Sequence, residues 1–424
     1  MSPLGLLRTR RLGPLTLAQA CGAFNDNLIK NAIIVMALFQ LHVGGAGLPA
    51  LAGALFIAPY ALLSGTAGKL ADRFEKPRLI RIYKGMETVL MALAAVAFHY
   101  QSVPALLGIL AGLGLQAAMF GPVKYGVLPE LLPDDELIAG NGLIEATTFL
   151  SIVIGTIAGG GLVLLPEGLL ITSILGLALS IVGLAAAMRV PDAAPADPSL
   201  RIRWNFLAET MDLPRLARGQ PAIWACILAL SWFWAVGATL MTEFPVLARD
   251  TLHGDGSVMT LLLTLFGAGV GAGSIGCARL LHGQISARLV PYAAFGISLF
   301  CFDFAYASWV SEPLVNAAAV LGSFQGWRMG LDLFLLAACG GIYSVPLYAI
   351  MQHAAPARER SRMIAANNVV NAVAMVGSAA TVALLAAAGA TAPQVLALTA
   401  AANLAVMFWI VGVTRRGVLV KAPG

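Results

Sequence analysis

The stretch LTLAQACGAFNDNLIKNAIIVMALF, from Leu15 to Phe39, decides how this chain is read. About 20 predominantly apolar residues suffice to cross a bilayer as a helix, and this run is long enough. Asp26 nevertheless stands in its middle, with Lys30 one turn further on and Asn25, Asn27 and Asn31 beside them. Residues four apart share a helix face, and an acid placed N-terminal to a base is the favourable order for a pair. An ionisable side chain at mid-membrane costs about 2.5–3.5 kcal/mol even on lenient scales, so it turns toward a bundle interior or a watery cavity. The run therefore predicts a membrane-spanning helix that forms one wall of an internal polar site.

Composition supports that reading along the whole chain. Of 424 residues, 59% are hydrophobic and only 11% charged, and the mean hydropathy is +0.84; soluble domains carry about 25% charged residues. The first apolar run is too long and too polar-flecked for a cleaved signal peptide, and no A-x-A-like site follows it, so it reads as a permanent span. Cys21, Cys226, Cys277, Cys301 and Cys339 are scattered singly. With no C-x-x-C and no Cys/His cluster, they predict buried free thiols rather than disulfides or a metal site. No cofactor is implied, and the net charge of +5 gives no reason to invoke nucleic acid.

Twelve spans are expected, at 14–39, 48–68, 79–99, 103–126, 141–165, 168–189, 219–247, 257–281, 286–306, 327–352, 363–388 and 392–414. The polar interruption 190–218, containing PDAAPADPSLRIRWNF, separates a six-helix unit, 1–189, from a second, 219–424. Basic residues fall on one side of this arrangement. Arg8, Arg10 and Arg11 precede span 1, and Lys69, Arg73, Lys76, Arg78 and Arg81 lie between spans 2 and 3. Arg201, Arg203, Arg215 and Arg218 occupy the linker, Arg358, Arg360 and Arg362 lie between spans 10 and 11, and Arg415, Arg416 and Lys421 follow span 12. The opposite loops hold essentially Arg249 and Arg328. The positive-inside rule then puts both termini and the linker in the cytoplasm, which requires an even number of spans.

An internal repeat joins the two units. Ala139-Gly140-Asn141-Gly142-Leu143-Ile144-Glu145 matches Ala365-Ala366-Asn367-Asn368-Val369-Val370-Asn371 at an offset of 226, each after a proline–tyrosine segment, Pro122-Val123-Lys124-Tyr125 and Pro346-Leu347-Tyr348. Gly271-Ala272-Gly273-Ser274-Ile275-Gly276 spells G-x-G-x-x-G but lies inside an apolar helix without a preceding strand. Close helix packing is the expectation there, not a dinucleotide site, and Gly155–Gly159 reads the same way.

Between spans 2 and 3 the chain reads Gly68-Lys69-Leu70-Ala71-Asp72-Arg73-Phe74-Glu75-Lys76. This resembles the G-x-x-x-D-R-x-x-[RK] signature of the major facilitator superfamily, which implies an all-α fold of twelve transmembrane helices in two six-helix bundles. Its physics assigns Gly68, Asp72 and Arg73 to gating: Gly permits close helix approach, Asp caps a neighbouring helix N-terminus, and the bases hold the loop. The corresponding second-half segment, Gly276-Cys277-Ala278-Arg279, lacks the Asp.

A narrower resemblance runs through Ala23-Phe24-Asn25-Asp26-Asn27, Gly121-Pro122-Val123-Lys124-Tyr125-Gly126, Asn141-Gly142-Leu143-Ile144-Glu145, Ser231-Trp232-Phe233-Trp234 and Val345-Pro346-Leu347-Tyr348. These look like the bacterial lysophospholipid transporter family, in the branch often fused to an acyltransferase. The resemblance implies movement of lysophospholipids such as lysophosphatidylethanolamine from the outer to the inner leaflet of the bacterial cytoplasmic (inner) membrane, without covalent chemistry. No acyltransferase H-x4-D block occurs here, so the resemblance implies a stand-alone carrier, or one partnered by a separate lysophospholipid acyltransferase. The family carries an Arg in span 7 where this chain has Met241, with Glu243 two residues on.

Such a headgroup needs a cation for its phosphate and a carboxylate for its amine. Lys30 or Lys124 suits the first, and Asp26 or Glu145 the second; Asn27, Asn141 and Tyr125 add hydrogen bonds, and Glu243 completes the candidate set. Asp303 and Asp332 are expected to pair with Arg328 or meet solvent, and Lys84 and Glu87 to form an interfacial pair near the inner face of span 3. Trp224, Trp232 and Trp234 either mark a membrane interface, the favoured reading, or line a cleft. A proton-coupled exporter of amphipathic drugs, with Asp26 or Glu145 as the protonatable group, is the alternative reading. A membrane scaffold that merely recruits an acyltransferase is a third, disfavoured by the buried charges.

Overall fold

The computed structural model describes residues 3–419 apart from 44, 46, 203 and 204; Arg203 and Lys421 of the charge pattern lie outside the described residues. Among the described residues, twelve helices of 20 residues or more follow one another: α1 Gly13–Val35, α2 Leu48–Arg73, α3 Lys76–His99, α4 Val103–Gly126, α5 Asp134–Leu162, α6 Gly168–Ala187, α7 Pro221–Val246, α8 Gly256–Leu280, α9 Val290–Trp309, α10 Phe324–Ala354, α11 Arg360–Ala387 and α12 Ala392–Arg415. No strand occurs among the described residues. Ten of these helices are long and apolar enough to cross a membrane; α1 and α3 are not among them. The polar residues of α1, and Lys76, Arg78, Arg81, Lys84 and Glu87 of α3, lower their apolarity.

Local chemistry sets the helix starts. A proline stands in the first turn of α1, α2, α3, α4, α7, α9 and α12, where its missing N–H costs nothing. Helix α5 begins at Asp134, seven residues ahead of the expected 141, because Asp134, Asp135 and Glu136 fill its first turn and complement the helix dipole. Asp255 and Ser323 cap α8 and α10 through their side chains.

Helices α1–α6 pack on one another, chiefly α1 on α5 and α6, α2 on α4, and α3 on α4 and α6; α8–α10 and α9–α12 form the corresponding contacts later in the chain. The seams between the two sets are α5 with α8 and α2 with α11. Small residues make these approaches possible. A Cβ at Gly155 or Gly159 would strike the α1 backbone at Phe24 and Leu28, and one at Gly273 would strike the α10 carbonyl of Ala338. The G-x-G-x-x-G stretch is therefore a packing surface, as expected.

The linker holds a helix that apolar patterning missed, Phe206–Arg218, capped by Asn205. It lies against α2: Thr210 Oγ1 donates to the Leu62 carbonyl at 2.9 Å, and Lys69 pairs with Glu209. The cysteines are free, four of them buried and Cys339 half-buried.

Candidate functional site

A cavity of about 220 Å³ lies between α1, α2, α4 and α11, with single contributions from α3, α7 and α10 and two residues of α5. Asp26 and Asn27 reach it from α1, Tyr60 from α2, Lys84 from α3, Gln116 and Lys124 with Tyr125 from α4, Trp234 from α7, Tyr348 from α10, and Asn368 and Asn371 from α11. Phe56, Ile57, Phe120, Ile152 and Met375 supply apolar wall.

Four of the expected binding residues, Asp26, Asn27, Lys124 and Tyr125, line this space together. Asp26 does not form an ion pair with Lys30. The Lys30 ammonium donates to Asn27 Oδ1 at 3.0 Å, while Asp26 Oδ1 is buried with no hydrogen-bond partner. The helix geometry that puts Lys30 on the Asp26 face equally offers it Asn27 three residues back, and the Asn27 amide oxygen accepts the hydrogen bond. Asp26 remains within electrostatic reach of Lys84, Lys30 and Lys124.

The Lys124 ammonium lies 4.7 Å from the centre of the Tyr125 ring, on the cavity wall. Glu145 stands behind it, accepting from the Tyr125 hydroxyl at 3.0 Å. Asn141 lies off the cavity, joined to Gln352 of α10 by two reciprocal amide bonds of 2.6 and 3.0 Å. Glu243 is buried in α7, away from the cavity lining. Lys30 is likewise off the wall.

Two expectations are corrected. Lys84 and Glu87 are not interfacial: their side chains are 1% and 0% exposed and pair at 2.5 Å. Helix α3 starts at Lys76, so position 84 lies two turns inside the bundle. Trp234 is not at an interface either; its indole N–H donates to the Tyr348 hydroxyl at 3.0 Å inside the cavity. Trp232 donates to Asn403 at 2.8 Å within the α7–α12 packing. Asp303 pairs with Arg328, as expected.

The linker end of the molecule is shut. Asp72 accepts from the backbone N–H of Ser361 at 3.0 Å, and from Arg362 through its backbone N–H at 3.3 Å and its Nε at 3.1 Å. It thereby caps the start of α11 across the α2–α11 seam. A Cβ at Gly68 would meet Ala365 Cβ at 2.7 Å and Arg362 Cα at 3.0 Å. Arg73 lies over the Phe74 ring at 5.3 Å. The signature residues Gly68 and Asp72 thus hold two helix ends together.

Two sets of helices meeting along two seams around a cavity of mixed polar and apolar lining, shut at one end, define the class of two-bundle membrane carriers. The chain belongs to the Major Facilitator Superfamily, whose family model matches residues 15–379. It is similar to a lysophospholipid transporter LplT of Escherichia fergusonii, 27% identical over 358 residues, covering 82% of this chain and 81% of the relative. The protein of the same name from Cronobacter sakazakii is 28% identical over 369 residues, covering 83% and 82%. In three dimensions it resembles the human organic anion transporter MFSD10 (TETRAN), with a TM-score of 0.76, 14% identity, and coverage of 93% of this chain and 98% of that one.

Sequence reasoning missed Gln116, Tyr60, Asn368 and Asn371 as cavity residues. Gln116 is two turns before Lys124 on α4, a signal that was present as a lone amide in an apolar run. Asn368 and Asn371 belong to the second copy of the repeat, whereas only its first copy supplied candidate site residues.

Proposed function

We propose that this protein carries lysophospholipids from the outer to the inner leaflet of a bacterial cytoplasmic membrane by alternating access. All twelve long helices span the membrane in this reading, as two bundles, 1–189 and 219–424, joined by the 190–218 linker. The basic loops put the termini and linker in the cytoplasm. In this reading Gly68, Asp72 and Arg73 help hold the linker end shut, and the substrate enters from the outer leaflet.

The observation that carries the reading is the cavity's mixed lining: Asp26, with an unpartnered carboxylate oxygen, and Lys124 share one space with Phe56, Ile57, Ile152 and Met375. A zwitterionic head on a single acyl chain has the matching chemistry, Asp26 taking the ammonium and Lys124 the phosphate, with Asn27 and Tyr125 adding hydrogen bonds. Glu145 serves Lys124 from behind. Lys30, Asn141 and Glu243 act on the site through helix placement, not by contact. Two similar relatives named lysophospholipid transporters support the substrate class. A separate acyltransferase would consume the product on the inner side.

The test is leaflet-resolved uptake of labelled lysophosphatidylethanolamine in vesicles, comparing wild type with Asp26→Asn. Losing a charge-assisted contact worth about 1.5–3 kcal/mol lowers uptake about 10- to 100-fold. Uptake that survives the substitution removes Asp26 from the site. Absence of wild-type uptake refutes the function and favours export of other amphiphiles.

A further inference from the structure

Lys84 and Glu87 sit beside the proposed headgroup site without a part in it. Glu87 is held at both oxygens: Oε2 accepts from Lys84 Nζ at 2.5 Å and Oε1 from Asn25 Nδ2 at 3.1 Å. It is fully buried and off the cavity wall, whereas Lys84 is on that wall. Room for the ammonium comes from Gly22 of α1, where a Cβ would collide with Lys84 Nζ and lie 3.1 Å from Glu87 Oε2. The ammonium also lies 5.1 Å from the centre of the Phe120 ring, and Phe120 is one turn before Lys124 on α4.

An ammonium has three N–H donors. Among the described residues Lys84 uses them on Glu87 alone. Two more donors on the same wall are unpartnered and buried, the side-chain amides Gln116 Nε2 and Asn368 Nδ2. Buried donors without acceptors are costly, and a concentration of them in one cavity marks the seat of an anion. Both Lys84 and Lys124 face the cavity; Lys84 is paired directly with Glu87, whereas Glu145, near Lys124, accepts from the Tyr125 hydroxyl.

We infer that Lys84 is a second phosphate-binding cation, forming with Lys124 a two-lysine cradle for a phosphodiester monoanion, with Glu87 as its positioning residue. Gln116 and Asn368 complete the donor set, and Asp26 receives a cationic substituent where the ligand has one. The inference rests on the lysophospholipid reading and assigns the site's preference to the phosphate, not to the group attached to it.

The experiment measures equilibrium binding to the full-length protein in nanodiscs of three probes: lysophosphatidylethanolamine, lysophosphatidylglycerol and monoacylglycerol, which lacks the phosphate. Wild type is compared with Lys84→Met/Glu87→Met, which removes both charges and leaves no orphaned buried carboxylate. Lys84→Gln, which retains a donor for Glu87, is the second variant should the double one fail to fold. The expected result is a loss of about 10- to 100-fold for both phosphate lipids and no change for monoacylglycerol. Wild-type affinity for the phosphate lipids in either variant overturns the inference alone, as does an equal loss for all three probes, which would mark a packing role. A wild type that binds none of the three overturns the substrate reading, and the inference with it.

Discussion

The rings of Tyr125 and Tyr348 stack face to face, 4.6 Å between centroids and 2° from parallel, one from α4 and the other from α10. Both line the cavity, and both belong to the proline–tyrosine segments of the repeat. The stack closes the cavity toward the linker end, where the Asn141–Gln352 bridge follows one turn later on α10. An aromatic pair contributes about 0.5–1.5 kcal/mol beyond its buried area. Tyr348→Leu is therefore expected to raise the population open at the linker end about two- to tenfold. Accessibility of an engineered cysteine at the buried Ser361 of the same end to a membrane-impermeant thiol reagent measures it.

Gly68→Val is expected to have the larger effect on the same equilibrium. The added side chain meets the α11 backbone, which cannot rotate away as a flexible side chain could. Helices α2 and α11 must part at their linker ends. Spin labels at the exposed positions Arg78 and Arg358 should report a longer distance. Asp72→Asn, which keeps an acceptor but removes the charge facing Arg362, should give a smaller shift in the same direction; unchanged distances in both variants would show that this seam is not the latch.

The Asn141–Gln352 bridge makes a coupling prediction. Gln352 Nε2 also donates to the Tyr125 carbonyl at 3.1 Å, so one amide ties three helices. Gln352→Leu strands the Asn141 carbonyl oxygen and should cost about 1–3 kcal/mol. Asn141→Ala/Gln352→Leu should cost less than the sum of the single changes by about 1 kcal/mol, since neither partner is left orphaned. Thermal unfolding of the four proteins in detergent completes the cycle, and strict additivity would refute the pairing.

Acid should loosen the start of α8. Asp255 accepts from the Ser257 N–H at 2.8 Å and from its hydroxyl at 2.5 Å, and the hydroxyl bond foremost holds the carboxyl below its usual range. A depressed carboxylate contributes its capping above the ordinary carboxylate pKa and loses it as pH falls through the lower folded-state value. Amide exchange at Ser257, corrected for its intrinsic pH dependence, should speed up across that interval in wild type and not in Asp255→Asn.

Much of the fold was legible because a bilayer penalises charge so heavily. Asp26 and Lys124 announced themselves as polar residues in apolar runs, and both line the cavity. Gly68 and Asp72 announced a helix junction through a steric and a capping requirement that the structure meets at Ala365 and Ser361. Depth along a helix was less legible. Lys84 and Glu87 follow a basic helix start, so they read as belonging to the membrane surface; only the packing of Gly22 and Asn25 against them reveals an interior pair. Partners distant in sequence were not legible at all. Nothing at Asn141 names Gln352, 211 positions later, and nothing at Trp234 names Tyr348. The linker helix escaped because it is only 13 residues long and its amphipathic pattern is broken up by four charged residues and Pro214.

Three lysines and three carboxylates, Lys30, Lys84 and Lys124 with Asp26, Glu87 and Glu145, surround the cavity, and their formal charges cancel. A cavity surround balanced in this way gives a voltage little to act on. Moving one elementary charge through the full membrane potential changes the energy by about 2.3 kcal/mol per 100 mV, but these six groups present no net charge for the field to act on as the empty protein rocks. A zwitterionic passenger leaves that balance untouched, so its traffic should be electrically silent. A lysolipid bearing a net negative charge would instead carry current, and a negative-inside potential would oppose its entry.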